Sequence, residues 1–235
     1  MKKPYIRKIY EKNGNEFFYV DGAWIRENID EEFTAYADHL KFKFIPPQQI
    51  WIEEEFGKKE WKYYVKYFVA KLKYLGECYE YYEAIRLANI VEQNERDKNP
   101  IVKRLKRLPK ISHIKAIHKK LLKKYSNDKV KVWIVNGFLV RSLYFLDYCA
   151  GGHDKVYHFV PNGEIWIDDA LNPKDFKCTL IHEAHERRLM EKGFTYEKAH
   201  RRSSRLELSC RRHPRKIDRI LRKELRRQKW IEYFY

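Results

Sequence analysis

Shifted against itself by 115 residues, this 235-residue chain meets a second copy of itself, residues 6–108 falling on 121–223 without a gap. Val20, Gly22 and Arg26 stand opposite Val135, Gly137 and Arg141, inside a nine-residue stretch of shared character. Pro46, Ile50 and Trp51 recur as Pro161, Ile165 and Trp166. Tyr81, Ala84, Arg86 and Glu92 recur as Tyr196, Ala199, Arg201 and Glu207, and Arg96, Arg104 and Arg107 as Arg211, Arg219 and Arg222. Chance similarity does not hold register over this length. A fixed repeat constrains the fold more than any local pattern, because each copy must be one supersecondary unit with the same element order.

Within a copy, Asp21-Gly22 and Asn136-Gly137 lie between alternating apolar runs, the pattern of a hairpin. Further strands are expected around 41–45 and 49–53, and around 156–160 and 164–168. In the second copy Asn172 is an N-cap, Pro173 suits the first helical position and Gly193 the C-terminal stop. Thr195 opens the next helix, which ends before Pro214, and a third, basic helix follows. The expectation is an α+β fold, a tandem repeat of a ββββααα unit. The first copy would span 1–108 and the second 129–235, joined by a basic linker helix over 109–128. Two such copies are expected to pack as a pseudo-twofold pair in place of a homodimer, which makes a monomer sufficient.

At 44% hydrophobic and 35% charged the chain can bury a core and stay in water. No apolar run reaches the roughly 18 residues that span a bilayer, so no membrane association is expected. The scattered Cys78, Cys149, Cys178 and Cys210 suggest reduced thiols and a cytoplasmic protein.

The copies diverge in one concerted way. Where the first has Tyr67, Phe68, Ala70 and Lys71, the second has His182, Glu183, His185 and Glu186. Asp38 becomes His153 and Ile85 becomes His200. Positions i, i+3 and i+4 share a helix face, which groups His182, His185 and Glu186. His200 and Glu207 share a stripe of the following helix. Histidine and carboxylate ligands around an open position describe a catalytic site for zinc or another divalent ion, which lowers the pKa of bound water to about 7. The expected ligands are His182 with His185 or Glu186, plus His200. Glu183 is the candidate general base. His153 and Glu207 are additional candidates, although Glu207 also occurs as Glu92 where the cluster is missing, which favours pairing with an arginine such as Arg201. Cys178, four residues before His182, reads as core.

The strand at 164–168 followed by a helix carrying His182-Glu183 resembles the HExxH arrangement of zincin metallopeptidases. In the gluzincin branch a glutamate on a later helix is the third ligand, and the resemblance implies that role for Glu207. The fifth motif position here is Glu186 where the family has histidine, and His185 stands one position early. The segment is also similar to a His-Glu-x-His-Glu-Arg helix of microbial and viral proteins, which implies no activity.

The net charge of +17 favours acidic partners. Residues 96–125 hold twelve Lys and Arg against one acid, and 198–229 hold fourteen against three. Arg104, Arg107, Arg219 and Arg222 are therefore candidates for sequence-independent contacts with DNA or RNA phosphates. Two functions follow as expectations. One is a metal-dependent, hydrolase-like protein with one active-type and one degenerate copy, acting on a peptide or phosphodiester. The other is a non-enzymatic nucleic-acid-binding or assembly protein whose His/Glu group is structural.

Overall fold

In the computed structural model, which describes residues 4–228, the first tight turn is at Asn13-Gly14. Both residues have positive φ, 52° and 73°, the twist a two-residue hairpin requires. It joins β1 (Tyr5–Lys12) to β2 (Asn15–Val20). The dipeptide Asp21-Gly22, expected as a hairpin, instead starts a helix, α1 (Gly22–Asn28), whose Trp24 N–H donates to the Asp21 carboxylate at 2.9 Å. The same residue types serve turns and N-caps, and here the cap wins. Glycine is required at 22 by a close approach: a Cβ there would lie 2.3 Å from Glu53 Cδ, and at Gly137 1.9 Å from Asp168 Oδ2.

The crossover through α1 makes the sheet mixed. After α1 come β3 (Tyr36–Asp38) and β4 (Gln49–Glu53); β4 runs parallel to β2 and antiparallel to β3, in the order β1-β2-β4-β3. Residues 41–45 and 156–160, expected as strands, are turns; the strands before them, β3 and its counterpart, are only three residues long and lack an alternating signal. Helices α2 (Glu54–Gly76), α3 (Tyr81–Arg96), α4 (Pro100–Leu105) and α5 (Lys110–Ile117) follow.

The expected linker helix ends at Ile117, because β5 (His118–Leu121) already belongs to the second sheet. Val135 pairs with His118 where the offset from the Val20–Tyr5 pair would place Lys120. The first strand of the second copy is thus two residues out of the 115 register, which hid it. Then come β6 (Lys131–Val135), α6 (Gly137–Leu143), β7 (Gly151–His153), β8 (Glu164–Asp168), α7 (Pro173–Glu191), α8 (Tyr196–Arg212) and α9 (Ile217–Arg226). The sheet order, β5-β6-β8-β7, repeats the first. Each copy is therefore ββαββααα, an α+β unit. Asn172 caps α7 as expected, accepting from Asp175 N–H at 3.0 Å, and Gly193 follows α7 with φ 84°. Thr195 stands at the N-cap of α8 without a side-chain capping bond.

The chain forms two units that do not divide where the copies meet. One contains the chain up to Ile25, Phe33–His113 and Phe138–Asp147; the other contains Arg26–Glu32, Ile114–Gly137 and the chain from Tyr148. Residues 26–32 and 141–147 are equivalent at the offset, so each copy lends the same segment to the other copy's unit. A buried ion pair holds each loan. In the second unit Arg26 reaches Asp175 at 2.7 Å; in the first, Arg141 reaches Glu60 at 2.5 Å. Both carboxylates are also held by a second arginine, Arg211 on Asp175 and Arg96 on Glu60, and those arginines bond Glu207 and Glu92. Every member of this four-residue chain has its partner at the 115 offset. Such a chain, once buried, tolerates no single deletion, since the partner is left as an uncompensated charge.

Candidate metal centre

In the second unit α7 packs Leu180, Ile181 and Ala184 into a core with Val132, Ile165 and Ile167 of the sheet. Cys178 belongs to that core, burial pushes its thiol up to about 12, and it is not among the described side chains close enough to share an ion. The other side of α7 carries His182, Glu183 and Glu186, toward α8 and β7. His182, Glu186 and His200 place ligand atoms close enough to share one ion, all within 4.8 Å of one another.

The hydrogen bonds fix which atoms face inward. His182 Nδ1 lies 2.9 Å from Glu207 Oε2, and His200 Nε2 lies 3.1 Å from Glu32 Oε2. An ionised carboxylate only accepts, so each ring keeps a proton on that outer nitrogen. The inner nitrogens, His182 Nε2 and His200 Nδ1, then face each other at 3.2 Å, and Glu186 Oε2 stands 2.7 Å from His200 Nδ1 and 3.4 Å from His182 Nε2. Two imidazole lone pairs and a carboxylate oxygen converge on one point. Convergent acceptors require a cation between them, either a proton or a metal. With protons alone, burial opposes the charge on His182, but hydrogen bonds to Glu186 and Glu207 outweigh it and raise its pKa. Hydrogen bonds to Glu186 and Glu32 push His200 up to about 9. Burial likewise opposes ionisation of Glu186, yet His153, His182 and His200 hold its carboxyl well below the usual range.

Each inward group has an outer partner, the arrangement that orients metal ligands. Glu207 holds His182 and is itself fixed by Arg211 at 2.7 Å. Glu32 holds His200. His153, fully buried on β7, holds Glu186: Lys155 N–H donates to its Nδ1 at 3.2 Å, so the ring proton sits on Nε2 and faces Glu186 Oε1 at 3.1 Å. His153, Glu183 and Glu186 are also close enough for an ion, but that tautomer makes His153 a donor to Glu186 rather than a ligand. Glu207, implied as third ligand by the resemblance to gluzincins, is similarly placed behind His182. Its arginine is Arg211, not Arg201.

His185 departs from expectation. Its Nδ1 lies 3.1 Å from Glu224 of α9 and 3.0 Å from Arg188, away from His182. Residues i and i+3 diverge by about 60° around a helix, and α9 draws His185 to the far side of that angle while Glu186 stays on the near side.

Glu183 is 9% exposed and has no hydrogen-bond or ion-pair partner among the described residues. Burial pushes its carboxyl above the usual range; His182 opposes this and Glu186 adds to it. The backbone of β7 presses on it, for a Cβ at Gly151 would lie 3.1 Å from Glu183 Cγ, and one at Gly152 2.5 Å from the Tyr157 ring. The glycines allow β7 to come close enough for His153 to reach Glu186.

The first unit shows the same place with the chemistry reversed. Lys71, equivalent to Glu186, pairs at 2.8 Å with Asp38, equivalent to His153, and both are buried. Tyr67 and Phe68 fill the positions of His182 and Glu183. There the cation is a covalent part of the chain. Among the described residues of the second unit, Glu32 and Glu186 pair with histidines, Glu183 pairs with nothing, and none of the three has a lysine or arginine partner.

Sequence reasoning missed Glu32 and Arg26, because both come from the copy without the cluster. Arg26 carried a signal in its repetition as Arg141. Glu32 carried a fainter one, the acidic Asp147 at the same offset. The basic candidates split. Arg104, Arg107, Arg219 and Arg222 are exposed, whereas Arg96 is buried and Arg211 half-buried in the ion chain. No described helix is long and apolar enough to cross a membrane. No protein-family model matches the chain, and no curated protein or solved structure matches it either.

Proposed function

We propose that the second unit is a metal-dependent, hydrolase-like centre in which His182 Nε2, His200 Nδ1 and Glu186 Oε2 hold one divalent ion, zinc being the metal that two histidines and a carboxylate suit best. The observation that carries this reading is the convergence of those three acceptors, with each histidine's proton committed outward to a carboxylate. A divalent ion so held would lower the pKa of a bound water to about 7. Glu183 is the general base: it is the buried carboxylate beside the ligands that no other side chain neutralises, and it follows His182 directly on α7. A dipositive charge held nearby would favour its ionised form, in which it would accept the proton. The first copy lacks all of these groups and contributes through its segment Arg26–Glu32, which lies in the second unit.

The test separates binding from turnover. Purified protein loaded with zinc or manganese is assayed on an activated phosphodiester and on a mixed peptide pool, beside Glu183→Gln. The expected result is ion-dependent hydrolysis of one of the two by wild type. Glu183→Gln retains the ion and loses turnover by about 10²–10⁴-fold, the usual worth of a general base. A Glu183→Gln variant as active as wild type would remove the assigned role.

A further inference from the structure

Helix α9 divides its residues cleanly. Leu221 and Leu225 enter the core of the second unit, with Ile217 and Ile220 packed against it. Glu224 turns inward to His185 and Arg188, at 3.1 and 2.7 Å. Asp218, the other acid of the helix, is taken by Lys177 at 2.7 Å. On the outer face Arg219, Arg222, Lys223, Arg226 and the following Arg227 line one open groove, all exposed. None has a carboxylate partner among the described residues; Arg222 makes only a 3.2 Å bond to the Asp218 carbonyl. Like charges so placed repel one another, and the one acid that acts on the stripe, Asp218 on Arg222, is already paired with Lys177.

The corresponding patch of the first unit differs. Around α4 and Arg107, Lys106 is paired with Asp97 at 2.5 Å and Lys98 with Glu95 at 2.7 Å. At the offset only Arg104 and Arg107 answer Arg219 and Arg222, while Leu108, Ile111 and Ser112 stand where Lys223, Arg226 and Arg227 do.

We infer that the outer face of α9 binds the phosphate backbone of a nucleic acid, independently of the metal centre. The residues at i, i+3, i+4 and i+7, namely Arg219, Arg222, Lys223 and Arg226, form one stripe. At about 1.5 Å rise per residue the stripe is roughly 10 Å long, enough to meet about three phosphates of a strand spaced about 3.4 Å apart along the axis, as in duplex DNA. Guanidinium groups bond phosphate oxygens in pairs, and three of these four are arginine. An anionic membrane is the weaker match, because every large apolar residue of α9 faces the core and none is left to insert. Contacts of this kind read charge and spacing, not base sequence.

The test is fluorescence anisotropy with an arbitrary duplex of about 20 base pairs, as DNA and as RNA, titrated from about 50 to 200 mM salt. Wild type is expected to bind, with affinity falling steeply as salt rises. In the triple variant Arg219→Ala, Arg222→Ala, Arg226→Ala the slope of log affinity on log salt shrinks by about 3, roughly one for each lost phosphate contact. The triple arginine-to-lysine variant keeps the slope. Circular dichroism checks that both variants fold. Lys98→Ala with Lys106→Ala, in the first unit, leaves binding unchanged, because both lysines are already paired with carboxylates. Absence of duplex binding at the lowest salt would overturn the inference. So would a triple alanine variant that binds as wild type, or binding to anionic phosphatidylserine vesicles in preference to the duplex.

Discussion

Replacing Glu207 by glutamine probes whether the inward nitrogen of His182 is set from behind. Glu207 accepts from His182 Nδ1 at 2.9 Å and twice from Arg211, at 3.1 and 2.7 Å, and its side chain is 15% exposed. Glutamine keeps the shape but offers one oxygen and one NH2 group, so one of the two donors loses its acceptor. If the ring of His182 turns or changes tautomer, Nε2 no longer faces the ion. Loss of such an outer partner weakens metal affinity by about 10–100-fold, or about 1.4–2.7 kcal/mol. Glu32 makes the same kind of contact to His200, but its side chain is 51% exposed, so water replaces much of what Glu32→Gln removes. A pair of that exposure is worth about 0.2–1 kcal/mol, a loss of roughly fivefold or less. Competition titration with a chromophoric chelator measures both affinities, below the unfolding temperature of each variant. The prediction is an ordered result, Glu207→Gln well weaker than Glu32→Gln, and Glu32→Gln close to wild type. Glu207→Gln binding as tightly as wild type, or Glu32→Gln the worse of the two, would refute the orientation argument.

Other expectations concern the scaffold. Arg26→Ala and Arg141→Ala each leave a buried carboxylate short of one guanidinium, so each should lower stability by about 3–5 kcal/mol in chemical denaturation; a variant within 1 kcal/mol of wild type would show that the lent segments are not held this way (about 1 kcal/mol being the scale of an exposed pair). His185→Ala should bind metal like wild type, since its ring serves Glu224; loss of the ion in that variant would put His185 back among the ligands. Burial opposes ionisation of Glu224, but hydrogen bonds from His185 and Arg188 hold its carboxyl down at about 2. The folded pKa lies below the unfolded value of about 4.3, so its contribution is complete above that pH and is lost as pH falls toward 2. Glu224→Gln should therefore flatten the fall of stability between those values, and an unchanged slope would deny the pairing.

The repeat was legible because it needs no geometry: Gly22 with Gly137 and Arg26 with Arg141 declare one fold used twice. The α+β class followed, and so did the capping of α7. The hairpin at Asp21-Gly22 was misread because aspartate before glycine suits a turn and an N-cap equally, and only the sheet pairing decides. Asn13-Gly14 offered the same turn chemistry a few residues earlier. The short strands Tyr36–Asp38 and Gly151–His153 carry no alternation to detect. At the candidate centre, His182, Glu186 and His200 were visible as one concerted change between copies. That Glu207 and His153 stand behind His182 and Glu186 was not visible, since spacing does not show which ring nitrogen faces inward. His185 was misplaced because helix spacing specifies a face only to within a wide arc, and the packing of α9 selects the side. Glu32 and Arg26 lie in the other copy, and only the exchange of segments brings them to this unit.

The central claim is that one ion belongs at His182, Glu186 and His200. Elemental analysis of the purified protein, incubated with zinc and then freed of excess, tests it most directly when done beside His182→Ala and His200→Ala. The prediction is one tightly held ion per wild-type chain and none in either variant, with all three folded by circular dichroism. A folded wild type that retains no ion, or variants that retain it as wild type does, would contradict the claim and leave the His/Glu group as a hydrogen-bonded structural network.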